Sequence, residues 1–474
     1  MPHLTFHYIP QSKPRQAHFE LVERLRPAVY GLSFTSYGAD LAYSLMREMK
    51  QRFPWLTVVA GGAHVSAIPE EVLTEGGADI CVLGEGEVTF AEILARHADL
   101  PAALPGIKGI AYRDATGCRR TGPRPLLDDL DAVPLPARDL IDPHDFVGLS
   151  HRFARPNTEM IITRGCPYRC VFCANPVFRV PGGALYRERS PACIAAEAEL
   201  LYQMGYRELF LHSDELNVRH DWSVAVCQAL AALGHKDLYF QANLRVQPMS
   251  EELAHWMRRA GFWLVRFGIE SGSQRVLNGI KKKMALEKTE HACRLVSAEG
   301  IRVFGYFMMF QFWEEDGRLE WETPAEVEES LRLVERLWRA GVLHYSSWMF
   351  AIPVQGAEYY DIAVRHGMVK PPFQPSDTWD PTPFVPGVTA REFSRLFRRA
   401  RWLQARMALK AGSFELRNWR ALLSKGLTAL RGHAGVPLRR PTREEQVVTG
   451  IAGGYRGLIG SAAAGGRAIG RLGD

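Results

Sequence analysis

Cys166, Cys170 and Cys173 stand in the run Thr163-Arg164-Gly165-Cys166-Pro167-Tyr168-Arg169-Cys170-Val171-Phe172-Cys173-Ala174-Asn175-Pro176. Three thiolates this close, with no fourth Cys or His at short spacing, suit three irons of a cubane cluster and leave the fourth iron open. A zinc knuckle would need that fourth ligand, and neither Arg169 nor Asn175 can supply it. An open iron is a place where a small molecule can be chelated and take up an electron. Cys193 follows closely but at the wrong spacing, and reads as structural.

Something must hold such a loop. Short apolar runs rich in β-branched and aromatic residues predict strands at 159–162, 208–212, 239–243, 264–269, 302–308 and 343–350. Helices are predicted at 192–204, 221–233, 250–260, 286–299 and 324–340, with Ser250 placed as an N-cap and Gly261 and Gly300 as C-terminal glycines. Six strand-helix units imply parallel pairing, because crossovers of this length cannot make hairpins. The cysteines follow the first strand, at the carboxyl end where α/β barrels do chemistry.

The Cys-x₃-Cys-x₂-Cys spacing with Phe172 before the third cysteine resembles the signature of the radical S-adenosylmethionine (SAM) superfamily. The resemblance covers roughly residues 25–370 and implies a partial (β/α)₆ barrel. It further implies a 4Fe-4S cluster whose unique iron chelates SAM, and cleavage of SAM to a 5′-deoxyadenosyl radical. SAM would then meet Ser213, Asp214 and Glu215 after the second strand, and Asn243 and Arg245 after the third. Glu270 and Ser271 lie in Gly268-Ile269-Glu270-Ser271-Gly272, which resembles an element of the same subgroup. An arginine beside a carboxylate gains two charge-assisted bonds. The fifth strand departs from the pattern: Phe310-Gln311-Phe312-Trp313-Glu314-Glu315 replaces a small-residue loop. That run is consistent with a reshaped wall for a large flat substrate or with loss of SAM binding.

An earlier α/β region has predicted strands at 28–34, 57–60, 79–83 and 108–112, and resembles the Rossmann-like cobalamin-binding domain that often precedes this barrel. On that resemblance Ser33, Gly61 and Gly62 surround the nucleotide tail of a corrinoid, although glycines there also close tight turns. The region looks truncated, lacking a leading strand-helix unit, and Asp-x-His-x-x-Gly is replaced by a near miss at 142–148. Weak or absent corrinoid binding is the expectation from that gap.

The chain of 474 residues, 47% hydrophobic and 23% charged, is globular in composition and long enough for two or three domains. The expected division is a Rossmann-like domain at 1–130, a linker at 131–155, the barrel at 156–370 and a helical basic region at 371–474. Residues 391–443 carry fourteen Lys and Arg against two Asp and Glu, interleaved with aromatics that include Phe393, Phe397, Phe414 and Trp419. That face could touch a membrane surface or simply pack its stems on the barrel; nucleic acid is a weaker fit. The last 25 residues, rich in Gly and Ala, are expected to be poorly ordered. With no long uncharged apolar run and no signal pattern, the chain reads as cytoplasmic.

The functional expectation is a radical SAM enzyme that methylates, cyclises or rearranges an unactivated carbon. The subgroup it resembles acts on tetrapyrroles, lipids and natural products. A small-molecule substrate and an electron donor such as flavodoxin or ferredoxin are implied. A methylthiotransferase would need three further cysteines before the barrel, where only Cys81 and Cys118 stand. A degenerate iron-sulfur scaffold without SAM turnover is the non-enzymatic alternative.

Overall fold

Alternation along the barrel strands sorts each side chain to one of two environments. In Arg302–Met309, for example, Val303, Gly305, Phe307 and Met309 are buried under helices, whereas Tyr306 and Met308 are only half-buried on the inner face. A computed structural model describes residues 5–9, 13–142, 151–369 and 387–411. Two main sheets organise them.

The first sheet has the order β1 (Val29–Ser33), β2 (Thr57–Gly61), β3 (Ile80–Val82), β4 (Ile110–Asp114) and β5 (Gly117–Arg120). Its first three strands are parallel and separated by helices, as the sequence pattern predicts. The fourth predicted strand is instead antiparallel and forms a hairpin with β5, turned through Gly117 at φ 122°. A helix at Arg15–Leu25 precedes β1, and no strand precedes that helix among the described residues.

The second sheet holds β6 (Asn157–Ile161), β9 (Glu208–His212), β10 (Tyr239–Leu244), β11 (Phe262–Glu270), β12 (Arg302–Met309) and β15 (Tyr345–Phe350). They pair in that order, all parallel, and each coincides with a predicted strand. Ser250 accepts the Leu253 N–H and Gly261 ends the same helix in the left-handed region. Two small hairpins interrupt the series: β7 (Thr163–Gly165) with β8 (Tyr186–Glu188), and β13 (Phe312–Glu315) with β14 (Arg318–Trp321).

The two sheets are tied by ions. Glu85, in the loop after β3, accepts from Arg187 on β8 and lies 3.4 Å from Arg164 on β7, and Arg164 also pairs with Glu87. The helix Ala390–Lys410 buries Leu396, Leu403 and Met407, and stacks Phe393 on Phe310 and Phe350. Arg399 pairs with Glu328 and Glu335. In its described part, therefore, the basic aromatic face packs on the barrel; Phe414, Trp419 and the Gly/Ala-rich end lie outside the described residues. No helix among those residues is long and apolar enough to cross a membrane.

Candidate active site

The cysteine loop begins where β7 ends. Gly165 has φ 82°, and a Cβ there would lie 2.4 Å from Leu185 O, so only glycine lets the two strands of this hairpin approach. Beyond it the loop is held by its backbone. The Arg179 guanidinium donates to Cys166 O at 2.9 Å and Tyr168 O at 2.7 Å, and Val171 N–H donates to Ile280 O at 3.1 Å. The Asn175 N–H donates to Cys173 Sγ at 3.4 Å, the kind of contact that tunes an iron-sulfur potential.

Burial pushes the Cys166 thiol up to about 11 and Cys173 up to about 12, and raises Cys170 as well. Only strong local positive charge would ionise them, and bound iron supplies it. Among the described residues no three His, Cys, Asp or Glu side chains converge on a single-ion site. A cubane does not require that, since each thiolate takes a different iron. The donor set thus suits a cluster better than zinc.

Around Cys170 the strand ends assemble a charged group. Glu215 follows β9, Arg245 follows β10 and Glu270 ends β11, where a register shift and φ 67° re-aim its side chain. All three surround Lys282: its ammonium donates to Glu270 at 3.0 Å and stands 4.0 Å from Glu215. Burial raises Glu215 to about 7. For Lys282 burial alone would lower the pKa, but Glu270 and Glu215 outweigh it and hold the amine above its ordinary value. Arg245 donates to the carbonyls of Lys282 and Lys283 and lies 3.8 Å above the Tyr168 ring.

The other predicted residues divide. Ser213 Oγ and Asn243 Oδ1 are buried without a hydrogen-bond partner, as groups waiting for a polar ligand would be. Phe172 is half-buried with Lys282 5.8 Å over its ring. Asp214 accepts from the Asn175 amide and faces a cavity on the other side of the loop. Ser271 is fully buried, its hydroxyl donating to Glu322 at 2.9 Å and accepting from Ser273 N–H at 3.2 Å, which leaves it committed to the protein. The Phe310–Trp313 run makes no exposed wall: Phe312 stacks on Tyr359 at 4.3 Å and Trp313 covers Gly279, both buried in the core.

That cavity, of about 1210 Å³, opens between the two sheets. Ser33, Gly61, Gly62 and Gly84 line it from the first sheet, and Arg164, Asn175 and Asp214 from the barrel. Gly62 has φ 100°, and a Cβ there would fall 2.6 Å from Phe34 O, so the strand-end loops can close together only around glycine. Residues 5–9 also line this space, beside β1. The volume lies beyond most small-molecule pockets and suits a macrocycle.

A family model described as the radical SAM superfamily matches residues 160–320, and one described as a B12 binding domain matches residues 5–94. The chain carries a radical SAM domain with a B12-binding domain ahead of it. An uncharacterized methyltransferase of Pyrococcus horikoshii is 26% identical over 386 residues, 80% of this chain and 79% of that one. The cytidylyl-2-hydroxyethylphosphonate methyltransferase of Streptomyces wedmorensis is 27% identical over 382 residues, covering 74% and 69%. Among solved structures, the radical SAM methyltransferase TsrM of Kitasatospora setae, with cobalamin and a [4Fe-4S] cluster bound, shares the fold. Its TM-score is 0.57 at 19% identity, over 75% of this chain and 68% of that one.

Cluster, SAM and cobalamin are accordingly the cofactors of this radical SAM enzyme. The B12-binding match covers residues 5–94; β1 is the edge strand of its sheet, as the absence of a leading strand-helix unit among the described residues implies, and residues 5–9 line the cavity beside it. Cys81 is buried in β3 and Cys118 is exposed on β5, two strands away, so the region before the barrel offers no second cysteine set among the described residues.

Proposed function

We propose that this protein is a cobalamin-dependent methyltransferase that acts on an unactivated carbon of a small molecule. The observation that carries the reading is the single cavity reached both by the strand-end glycines of the B12-binding domain and by the flank of the cysteine loop. When bound, the cluster with SAM supplies a 5′-deoxyadenosyl radical and the corrinoid supplies a transferable methyl group.

In this reading Cys166, Cys170 and Cys173 hold the cluster. Glu215 and Glu270 take the amino group of SAM, Arg245 takes its carboxylate, and Ser213 and Asn243 find partners on the rest of it. Lys282 spaces the carboxylates until SAM arrives. Ser33, Gly61 and Gly62 close on the corrinoid from the other side. The units at 1–130 and 156–370 correspond to cobalamin binding and radical generation, and in the unit at 371–474 the helix Ala390–Lys410 covers the barrel. A flavodoxin- or ferredoxin-type donor supplies the electron. The methyltransferases among the relatives support methyl transfer over cyclisation.

The test is anaerobic incubation of the reconstituted protein with hydroxocobalamin, a low-potential reductant and SAM labelled in its methyl group. Label should move to cobalamin, with S-adenosylhomocysteine released. Formation of 5′-deoxyadenosine with all label recovered in methionine and unreacted SAM would overturn methyl transfer and leave a radical cyclase or mutase.

A further inference from the structure

We infer that the outer face of the helix Ala390–Lys410 docks this protein on an anionic lipid surface. The inference is independent of the methyltransferase reading and concerns a face of the molecule that neither cofactor touches.

Successive helical residues turn by about 100°, which sets Arg391, Arg395, Arg398, Trp402, Arg406 and Leu409 within about 40° of one line along this helix. Leu396, Ala400, Leu403 and Met407 fall on the opposite side and are buried. That side anchors the helix. Phe393 stacks on Phe350 at the carboxyl end of β15, and the Ser346 hydroxyl lies 3.4 Å from Met407 Sδ near the start of the same strand. The helix of 21 residues therefore holds its outer line straight along the barrel wall for about 30 Å.

Charge is the first argument for lipid. The helix carries seven Arg and Lys and one acid, Glu392, which is occupied by the Thr389 hydroxyl and N–H in a capping box. Glu328 and Glu335 of the neighbouring helix Pro324–Arg339 are engaged by Arg395 and Arg399. Arg391, Arg406 and Lys410 have no carboxylate partner among the described residues. The second argument is apolar. Trp402 is 56% exposed and Leu409 61%, two turns apart on the same line. Arg406 lies 4.5 Å from the Trp402 ring and 5.0 Å from Trp338, and Lys410 lies 5.6 Å from Trp338, so cations and indoles interleave. At a headgroup layer such cations reach phosphate while the indole and Leu409 sink below it. A merely solvated face would gain nothing from Trp402 and Leu409, and a nucleic-acid backbone would satisfy the arginines but leave Leu409 without an apolar partner.

The experiment needs no substrate. The full chain is sedimented with sucrose-loaded vesicles of phosphatidylcholine, alone or mixed with phosphatidylglycerol. It should pellet with the mixed vesicles and not with the neutral ones, and added salt should release it. The pair R391E/R406E and the pair W402A/L409A should each weaken binding about tenfold or more, with unchanged melting temperature because all four side chains are exposed. Brominated phosphatidylcholine in the mixed vesicles should quench the wild type more than W402F, a difference that no folding defect imitates. Absence of binding at low salt, equal binding to neutral vesicles, or equal quenching of W402F would overturn the inference. Undiminished binding of R391E/R406E would overturn it by placing the attraction in another segment. Undiminished binding of W402A/L409A would reduce the face to a general polyanion site and overturn the lipid assignment.

Discussion

The Lys282 ammonium sits 3.0 Å from Glu270 and 4.0 Å from Glu215, with all three side chains nearly removed from solvent. Two carboxylates that would repel one another are held together by one lysine, and Arg245 clamps the backbone on which that lysine is carried. Such a group is costly to break and simple to exchange, since a ligand ammonium can replace the lysine's.

Lys282→Met should therefore destabilise the apoprotein by about 3–5 kcal/mol, the cost of leaving buried carboxylates without their partner. Adding Glu270→Gln should recover a large part of the loss. Urea denaturation of the single and double variants checks the coupling, which non-additivity would reveal.

Anaerobic reconstitution should give about four irons per chain and a brown chromophore. Replacing Cys166, Cys170 or Cys173 by Ala should abolish both. Cys193→Ala should keep them, because its sulfur meets Arg189 at 3.1 Å and Asp131 rather than the cysteine loop. A colourless, zinc-loaded wild type would refute the cluster.

Glu322 is fully buried, and burial raises its carboxyl from an ordinary 4.5 to about 8. Between those values the folded state holds a proton that the unfolded chain releases, so stability falls as pH rises through the window. The slope from this one group is at most about 1.4 kcal/mol per pH unit. Glu322→Gln should flatten the decline in melting temperature between pH 5 and 8, leaving a residue from Glu215, which burial raises to about 7. An unchanged slope would place the proton elsewhere.

Gly62→Ala forces a Cβ into a left-handed turn against Phe34 O. The strain should cost about 1–3 kcal/mol and lower cobalamin retention while iron content stays unchanged. Gel filtration followed by absorbance measures both in one sample. Equal loss of iron would mean that the whole fold, not the corrinoid side, had yielded.

The barrel strands were legible because each is an apolar run between turn signals, and the cysteine triad because its spacing is unusual. Lys282 was not legible. In Lys281-Lys282-Lys283 a reader expects three solvated side chains, and only the left-handed backbone at Lys281 and Lys283 turns the middle one inward. Glu322 was hidden for a related reason: Phe310–Glu315 reads as an aberrant loop until β14 folds back and presents Glu322, directly after it, to Ser271. The Glu159–His212 contact at 3.0 Å depends on strand register, which local pattern alone does not fix across fifty-two intervening residues. Ser271 shows the reverse: a motif position that resembles a ligand contact is a buried hydrogen-bond hub.

Glu85 is a design constraint. It gathers Arg164 and Arg187 from the two strands of the hairpin that launches the cysteine loop, so the position of the cluster loop is set partly from the B12-binding side. The two halves are not interchangeable cassettes. A chimera joining this barrel to another protein's corrinoid domain would have to carry a carboxylate at that loop, or re-engineer both arginines, before the two cofactors could face each other at the native separation.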